Sequence, residues 1–93
     1  MSEITCIKVI INGRVQGVFF RAQTQKTARH LNLAGYVKNR SDGSVEAFFQ
    51  GDAAGIQKML EWCRKGPPAS RVDHVLPESA DGIPGCDSFD ILY

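Results

Sequence analysis

A chain of 93 residues with 11 lysines and arginines against 10 acidic residues carries a formal charge of +1. That length supports one domain and one core, burying roughly 60–65% of the surface that the unfolded chain exposes. The balance, with no basic block, excludes duplex nucleic acid and other large polyanions, which need many phosphate-facing cations; one small phosphate needs only a cation or two plus backbone N–H groups.

Met1-Ser2-Glu3 leads straight into an apolar run, without the basic start or cleavage site of a signal peptide. Ile4 to Ile11 is β-branched and apolar with Lys8 as its only charge, which predicts a central strand covered on both faces or nearly so. Asn12-Gly13 is expected to end it. Phe20, Thr24, Thr27, Ala28 and Leu31 recur at helical spacing and predict a first helix, ended by Gly35. Tyr36 to Arg40 and Ser44 to Gln50 flank Ser41-Asp42-Gly43 and read as a hairpin. Asp52 is the expected N-cap of a second helix, with Ile56, Met59, Leu60 and Cys63 facing inward and Gly66-Pro67-Pro68 stopping it. Ser70 to Leu76 alternates Val72, His74 and Leu76 against Arg71, Asp73 and Val75, which predicts a strand with a half-buried His74. Pro77 to Asp87 reads as a surface loop, and Phe89, Ile91 and Tyr93 as a last short strand.

The order is β-α-β-β-α-β with an extra short C-terminal strand. It predicts an α+β, ferredoxin-like sandwich over residues 1–93: one antiparallel sheet with two helices on one face. No apolar stretch approaches the ~18 residues of a membrane span, so a cytoplasmic monomer without membrane or nucleic-acid partners is expected. Cys6, Cys63 and Cys86 are odd in number and show no C-x-x-C spacing, so free thiols are expected, with room for one bridge. His30 is expected at the surface near a helix end. No ligand-spaced Cys/His/Asp/Glu set predicts a metal site, and no cofactor is expected.

The segment joining the first strand to the first helix, Gly13-Arg14-Val15-Gln16-Gly17-Val18-Phe19-Phe20-Arg21, carries the strongest chemical signal. Glycines let successive N–H groups turn toward one point. A helix N-terminus adds orphan N–H groups and the positive end of its dipole. Arg21 adds a planar fork matched to two phosphate oxygens. Arginine in a first helical turn is unfavourable unless an anion faces it. The alternative is an ordinary strand-to-helix connection, because short Gly-rich patterns are weak signals. Gly17 is not followed by Lys-Ser or Lys-Thr, so this is not a nucleotide P-loop. The loop also holds no Cys, Ser, Asp or His to act as a nucleophile, which leaves water to attack directly.

This segment, followed by Gly35-Tyr36-Val37-Lys38-Asn39 and Asp42-Gly43-Ser44-Val45, closely resembles the two signature stretches of acylphosphatases. The helix stripes and Ser70 to Asp73 are also similar, and the resemblance covers about residues 4–93. It implies a ferredoxin-like enzyme that hydrolyses acyl phosphates to a carboxylate and inorganic phosphate, with phosphate as product and competitive inhibitor. It implies that Arg21 and the N–H groups of Val15, Gln16, Gly17, Val18, Phe19 and Phe20 bind the phosphate. It further implies that Asn39 positions the water, that the substrate's own phosphate oxygen accepts the proton, and that the C-terminus lies near the arginine. A neutral amide fits the role of Asn39: it orients water but takes no proton near neutral pH. No function attaches to the Phe19 side chain, and the acyl side has no identifiable reader.

Two binding modules compete with this reading. An RNA-recognition domain shares the element order, but Ser44-Val45-Glu46-Ala47-Phe48-Phe49 lacks its aromatic pattern. A regulatory anion-binding domain would use the cradle and have no need of Asn39.

Overall fold

Branched apolar residues at alternate positions make β1 (Ile4–Arg14) the strand on which the sheet is built. The computed structural model describes residues 4–93, and Met1-Ser2-Glu3, read as the start of the chain, lies outside the described residues. Then follow α1 (Phe20–His30), β2 (Ala34–Asn39), β3 (Val45–Asp52), α2 (Ala53–Lys65), β4 (Arg71–Ser79) and β5 (Phe89–Leu92), in the predicted order. They form one five-stranded sheet, β4-β1-β3-β2-β5. β4, β1, β3 and β2 pair antiparallel, while β5 adds parallel to β2 with Leu92 beside Lys38. The four-strand frame is thus the predicted antiparallel one, and the extra strand makes the sheet mixed.

Register explains the core. Ile7, Val9 and Ile11 lie opposite Phe49, Ala47 and Val45, so all six point to one face. Phe20 and Ala28 of α1 and Ile56, Met59 and Cys63 of α2 join them in a single buried cluster, so both helices cover that face. This is the ferredoxin-like solution. Cys63 is fully buried, and burial pushes its thiol up to about 12, which suits a small apolar packing residue. The opposite face stays partly open: Lys8 lies between Phe48 and Glu78, and Ile10 between Glu46 and the exposed Leu76. β1 is therefore covered on one face only, not on both as its apolar run suggests.

One inserted residue changes the reading of β4. Asn12 pairs with His74 but Gly13 pairs with Val72, so Asp73 is the extra residue of a β-bulge. The bulge reverses the alternation: Val72 and Val75 both pack against the core, and His74 is exposed rather than half-buried. Asn12-Gly13 does not end β1, which continues through the bulge to Arg14. Gly13 is required there, because at φ 134° a Cβ would lie 2.0 Å from the Arg71 carbonyl oxygen.

Other boundaries move by a few residues. α1 is reversed by Asn32 at φ 58°, and Gly35 falls inside β2. β4 runs to Ser79, shortening the predicted loop. Asp52 occupies the N-cap position of α2 but makes no side-chain capping bond. Among the described residues no helix is long and apolar enough to cross a membrane.

The pairing has one consequence for chemistry. β1 and β2 both run antiparallel to β3, and β5 runs with β2. The carboxyl ends of β1, β2 and β5 therefore meet at one edge of the sheet, beside the N-terminus of α1.

Candidate active site

At that edge, residues 15–19 turn the chain from β1 into α1. Val15 and Val18 are buried and anchor the turn, while Gly17 between them is exposed. Gly17 (φ 72°) and Phe19 (φ 61°) are both left-handed. Among the described residues, no backbone N–H from Val15 to Phe19 donates to another part of the chain. α1 starts without help: Phe19 at its N-cap offers no side-chain bond, and no acidic residue occupies the first turn. Among the described residues these loop donors and the positive dipole end of α1 are thus left without a partner or a compensating charge.

Arg21 strengthens that positive end. Its Nη1 donates to the Leu92 carbonyl at 3.4 Å, and its guanidinium sits 4.9 Å from the centre of the Tyr93 ring. Neither partner neutralises its charge. Among the described residues no carboxylate lies within ion-pair range of Arg21, whereas nearby Lys38 and Arg40 both engage Glu46. The last turn of β5 thus holds the arginine fork at the cradle without consuming its charge.

Asn39, the last residue of β2, lines the same open cleft of about 250 Å³ as Val15, Gly17, Phe19, Arg21 and Tyr93. Its Oδ1 is buried and has no hydrogen-bond partner. A buried acceptor left unpaired costs about 1–3 kcal/mol, so this oxygen holds hydrogen-bonding capacity that no group of the described chain uses. Gln16, Val18 and Phe20 complete the predicted set: Phe20 lines the cleft, while Val18 and the Gln16 side chain pack behind the loop. The structure therefore brings Arg21 and Asn39 together across 18 residues of sequence, which neither residue's local context foretells.

Sequence reasoning missed how the two halves are tied. The Gln16 side-chain amide donates to the Arg40 carbonyl at 2.8 Å and to the Ser44 carbonyl at 2.9 Å. It clamps the loop to the β2–β3 turn that follows Asn39. That turn is braced by Asp42, whose Oδ1 accepts from the Ser44 N–H at 2.9 Å and from the Ser44 hydroxyl, holding the Asp42 carboxyl below its usual range. Gln16→Leu removes both clamping bonds. It is expected to lower stability by about 1–3 kcal/mol and kcat by roughly tenfold through loosened geometry, measured by urea denaturation and steady-state kinetics.

Among the described residues no Ser, Thr, Cys, Asp, Glu, His or Lys side chain lines the cleft. Among the described residues no three His, Cys, Asp or Glu side chains gather as metal ligands.

The fold and the edge site together define a ferredoxin-like sandwich with a helix-end anion cradle and a facing amide. The comparisons place it more narrowly. The acylphosphatase family model matches residues 7–91, and the chain belongs to that family. It is 58% identical over 73 residues to an acylphosphatase of Syntrophobacter fumaroxidans, covering 78% of this chain and 75% of the relative. It is 42% identical over 91 residues to an acylphosphatase of Natronomonas pharaonis, covering 98% of each. The crystal structure of acylphosphatase from Bacillus subtilis superimposes with a TM-score of 0.91 at 36% identity, covering 98% of this chain and all of that one.

Proposed function

We propose that this chain hydrolyses the carboxyl–phosphate bond of acyl phosphates by direct attack of water. The observation that carries the reading is the shared cleft, lined both by an unneutralised Arg21 and by Asn39, whose Oδ1 has no partner in the described chain.

The chemistry follows from what these groups can and cannot do. The orphan N–H groups of the loop and the Arg21 fork bind the phosphate oxygens and stabilise charge as it develops on them. Asn39 Oδ1 can only accept a hydrogen bond. A water that donates to it has its lone pair free for phosphorus, in line with the departing carboxylate. The second water proton goes to a phosphate oxygen of the substrate, since no side chain in the cleft is placed to take it. A carboxylate with a conjugate-acid pKa of about 4 leaves without protonation, so no general acid is needed. Among the described residues the cleft lining holds no Ser, Thr, Cys, Asp, Glu, His or Lys, and Tyr93 is its one hydroxyl, which favours attack by water over a phospho-enzyme.

The same cradle binds the product, so inorganic phosphate competes with substrate. Cytoplasmic location and a monomeric state complete the proposal, supported by near-neutral charge and the lack of a membrane-length apolar helix among the described residues.

The test is release of inorganic phosphate from benzoyl phosphate, with and without EDTA. Turnover far above the spontaneous rate is expected, undiminished by chelation, because no ligand-spaced cluster gathers among the described residues to hold a metal. A binding module gives no turnover. Activity lost in EDTA and restored by zinc or magnesium overturns the mechanism.

A further inference from the structure

All three cysteines are free thiols in this structure; Cys63 is sealed in the core, while Cys6 and Cys86 are half-buried. Alternation along β1 sends Ile7 to the helix side, so Cys6 points to the open face beside Gln50 of β3. The connection from β4 to β5 crosses this corner of the sheet. Its Ala80 N–H donates to the Cys6 carbonyl at 3.4 Å. Gly82 lies so close that a Cβ there would stand 3.3 Å from the Cys6 sulfur. Gln50 fixes the next residue: its Oε1 accepts from the Ile83 N–H at 2.9 Å and from the Cys6 thiol at 3.6 Å. A turn then reverses the chain, with the Cys86 N–H donating to the Ile83 carbonyl at 3.2 Å. The Cys86 thiol makes only a weak 4.0 Å contact with the Ser88 carbonyl, and it lines a cavity of about 540 Å³ that Gln50 also lines. Two thiols from opposite ends of the chain thus flank one glutamine.

We propose that Cys6 and Cys86 form a reversible modification site, oxidised to an intramolecular disulfide by a small disulfide such as glutathione disulfide, and that the bridge locks the β4–β5 connection onto β1. The step balances by thiol–disulfide exchange. One protein thiolate attacks a sulfur of the small disulfide, forming a mixed disulfide and releasing one thiolate. The other protein thiolate then attacks the protein sulfur and expels the second. Two electrons pass from the cysteine pair to the small disulfide, and the two thiol protons go to the thiolates released. A bridge needs Cβ atoms about 3.5–4.5 Å apart, so the Ile83–Cys86 turn has to close on Cys6. That turn has room to move, since a Cβ on its Gly85 would meet nothing within 4 Å. Closure gives up the Cys6–Gln50 contact, a weak sulfur hydrogen bond. The charges favour it as well. Burial, Asp87, Asp90 and Cys6 all push the Cys86 thiol upward, and a neutral disulfide escapes that repulsion. Cys63 cannot compete, because it lies across the sheet within the core. The bridge sits at the start of β1 and just before β5, at the end of the sheet away from the cleft. It closes a loop of nearly the whole chain, the case in which a cross-link most restricts the unfolded state.

The test needs no substrate and is independent of the activity proposed above. Reduced wild type is incubated, folded, with excess glutathione disulfide in mildly alkaline buffer, quenched with acid, and mapped by mass spectrometry without reduction. A peptide pair joined through Cys6 and Cys86 is expected. The thiol count under denaturing conditions should fall from three to one, the survivor being Cys63. The oxidised protein should melt about 10 °C or more above the reduced one, and dithiothreitol should reverse both changes. Cys6→Ser and Cys86→Ser should each lose the bridge and the rise in Tm; the mapping itself is done on wild type and does not depend on either variant folding. A glutathione adduct that never resolves to a bridge, a disulfide between two chains, or a bridge that forms only in urea overturns the site. A bridge that leaves Tm unchanged overturns the locking.

Discussion

Arg21→Ala is expected to lower kcat/KM by about 10³-fold or more while leaving the unliganded protein nearly as stable as wild type. The loss follows from the charge, which both bound substrate and transition state feel. Removing a single neutral oxyanion donor costs about 10²–10³-fold, and an arginine at a transferring phosphoryl group about 10³–10⁵-fold. The small stability effect follows from the partners. Arg21 makes one long hydrogen bond at 3.4 Å and one contact with the exposed Tyr93 ring, together worth about 1 kcal/mol or less. Against these stands a positive charge in the first turn of α1, which is unfavourable without an anion. Phosphate reverses the comparison. At about 100 times its dissociation constant it should stabilise the wild type by about 2.7 kcal/mol, a rise in Tm of roughly 10–20 °C for a domain of this size. Arg21→Ala should lose that rise. Arg21→Lys keeps the charge but not the fork and should recover only part of it. A phosphate-induced rise that persists in Arg21→Ala places the anion elsewhere.

The parts of this site differ in how far the sequence discloses them, and the difference is one of range. The cradle is contiguous: Gly17, the helix start and Arg21 lie within a few residues, so their convergence follows from local geometry. The hairpin is legible for the same reason, with Gly43 at φ 92° in the turn. The meeting of Arg21 with Asn39 is a long-range fact. It depends on β1 and β2 both pairing with β3, which the element order implies but no local pattern states. Beyond that the sequence is silent. Asp73 looks like any strand residue, yet as a bulge it inverts the faces of everything after it and moves His74 into solvent. A period-2 pattern cannot survive a one-residue insertion, and nothing in Val72-Asp73-His74 marks one. The parallel pairing of β5 with β2 brings Tyr93 beside Arg21, a placement that the family resemblance implies but no local pattern states. Gln16 likewise gives no hint that its amide spans to Arg40 and Ser44, because its carbonyl partners carry no side-chain signature.

Asn39→Ala is expected to separate catalysis from both binding and stability. In the proposed mechanism Asn39 contacts the attacking water, whose in-line position matters only as the reaction proceeds. Its loss should lower kcat by about 10²-fold or more, the scale of a lost positioning or transition-state contact. KM and the phosphate inhibition constant should move little, since the cradle and Arg21 are untouched. Stability should hold or rise by about 1 kcal/mol, because the substitution deletes a buried acceptor that has no partner within the protein. A residue kept only to form the turn predicts the reverse: activity retained and stability lost. Asn39→Asp sharpens the test. It nearly preserves shape and supplies a carboxylate base, but it sets a negative charge beside a phosphate dianion, and like charges repel. It should therefore lose activity and weaken phosphate binding together, despite offering a proton acceptor that the wild-type cleft lacks. The measurements are kcat, KM, the phosphate inhibition constant and the urea midpoint of each variant. Near-normal kcat in Asn39→Ala removes water positioning from this residue; near-normal kcat in Asn39→Asp shows that the attacking water does not lie between the amide and the phosphate.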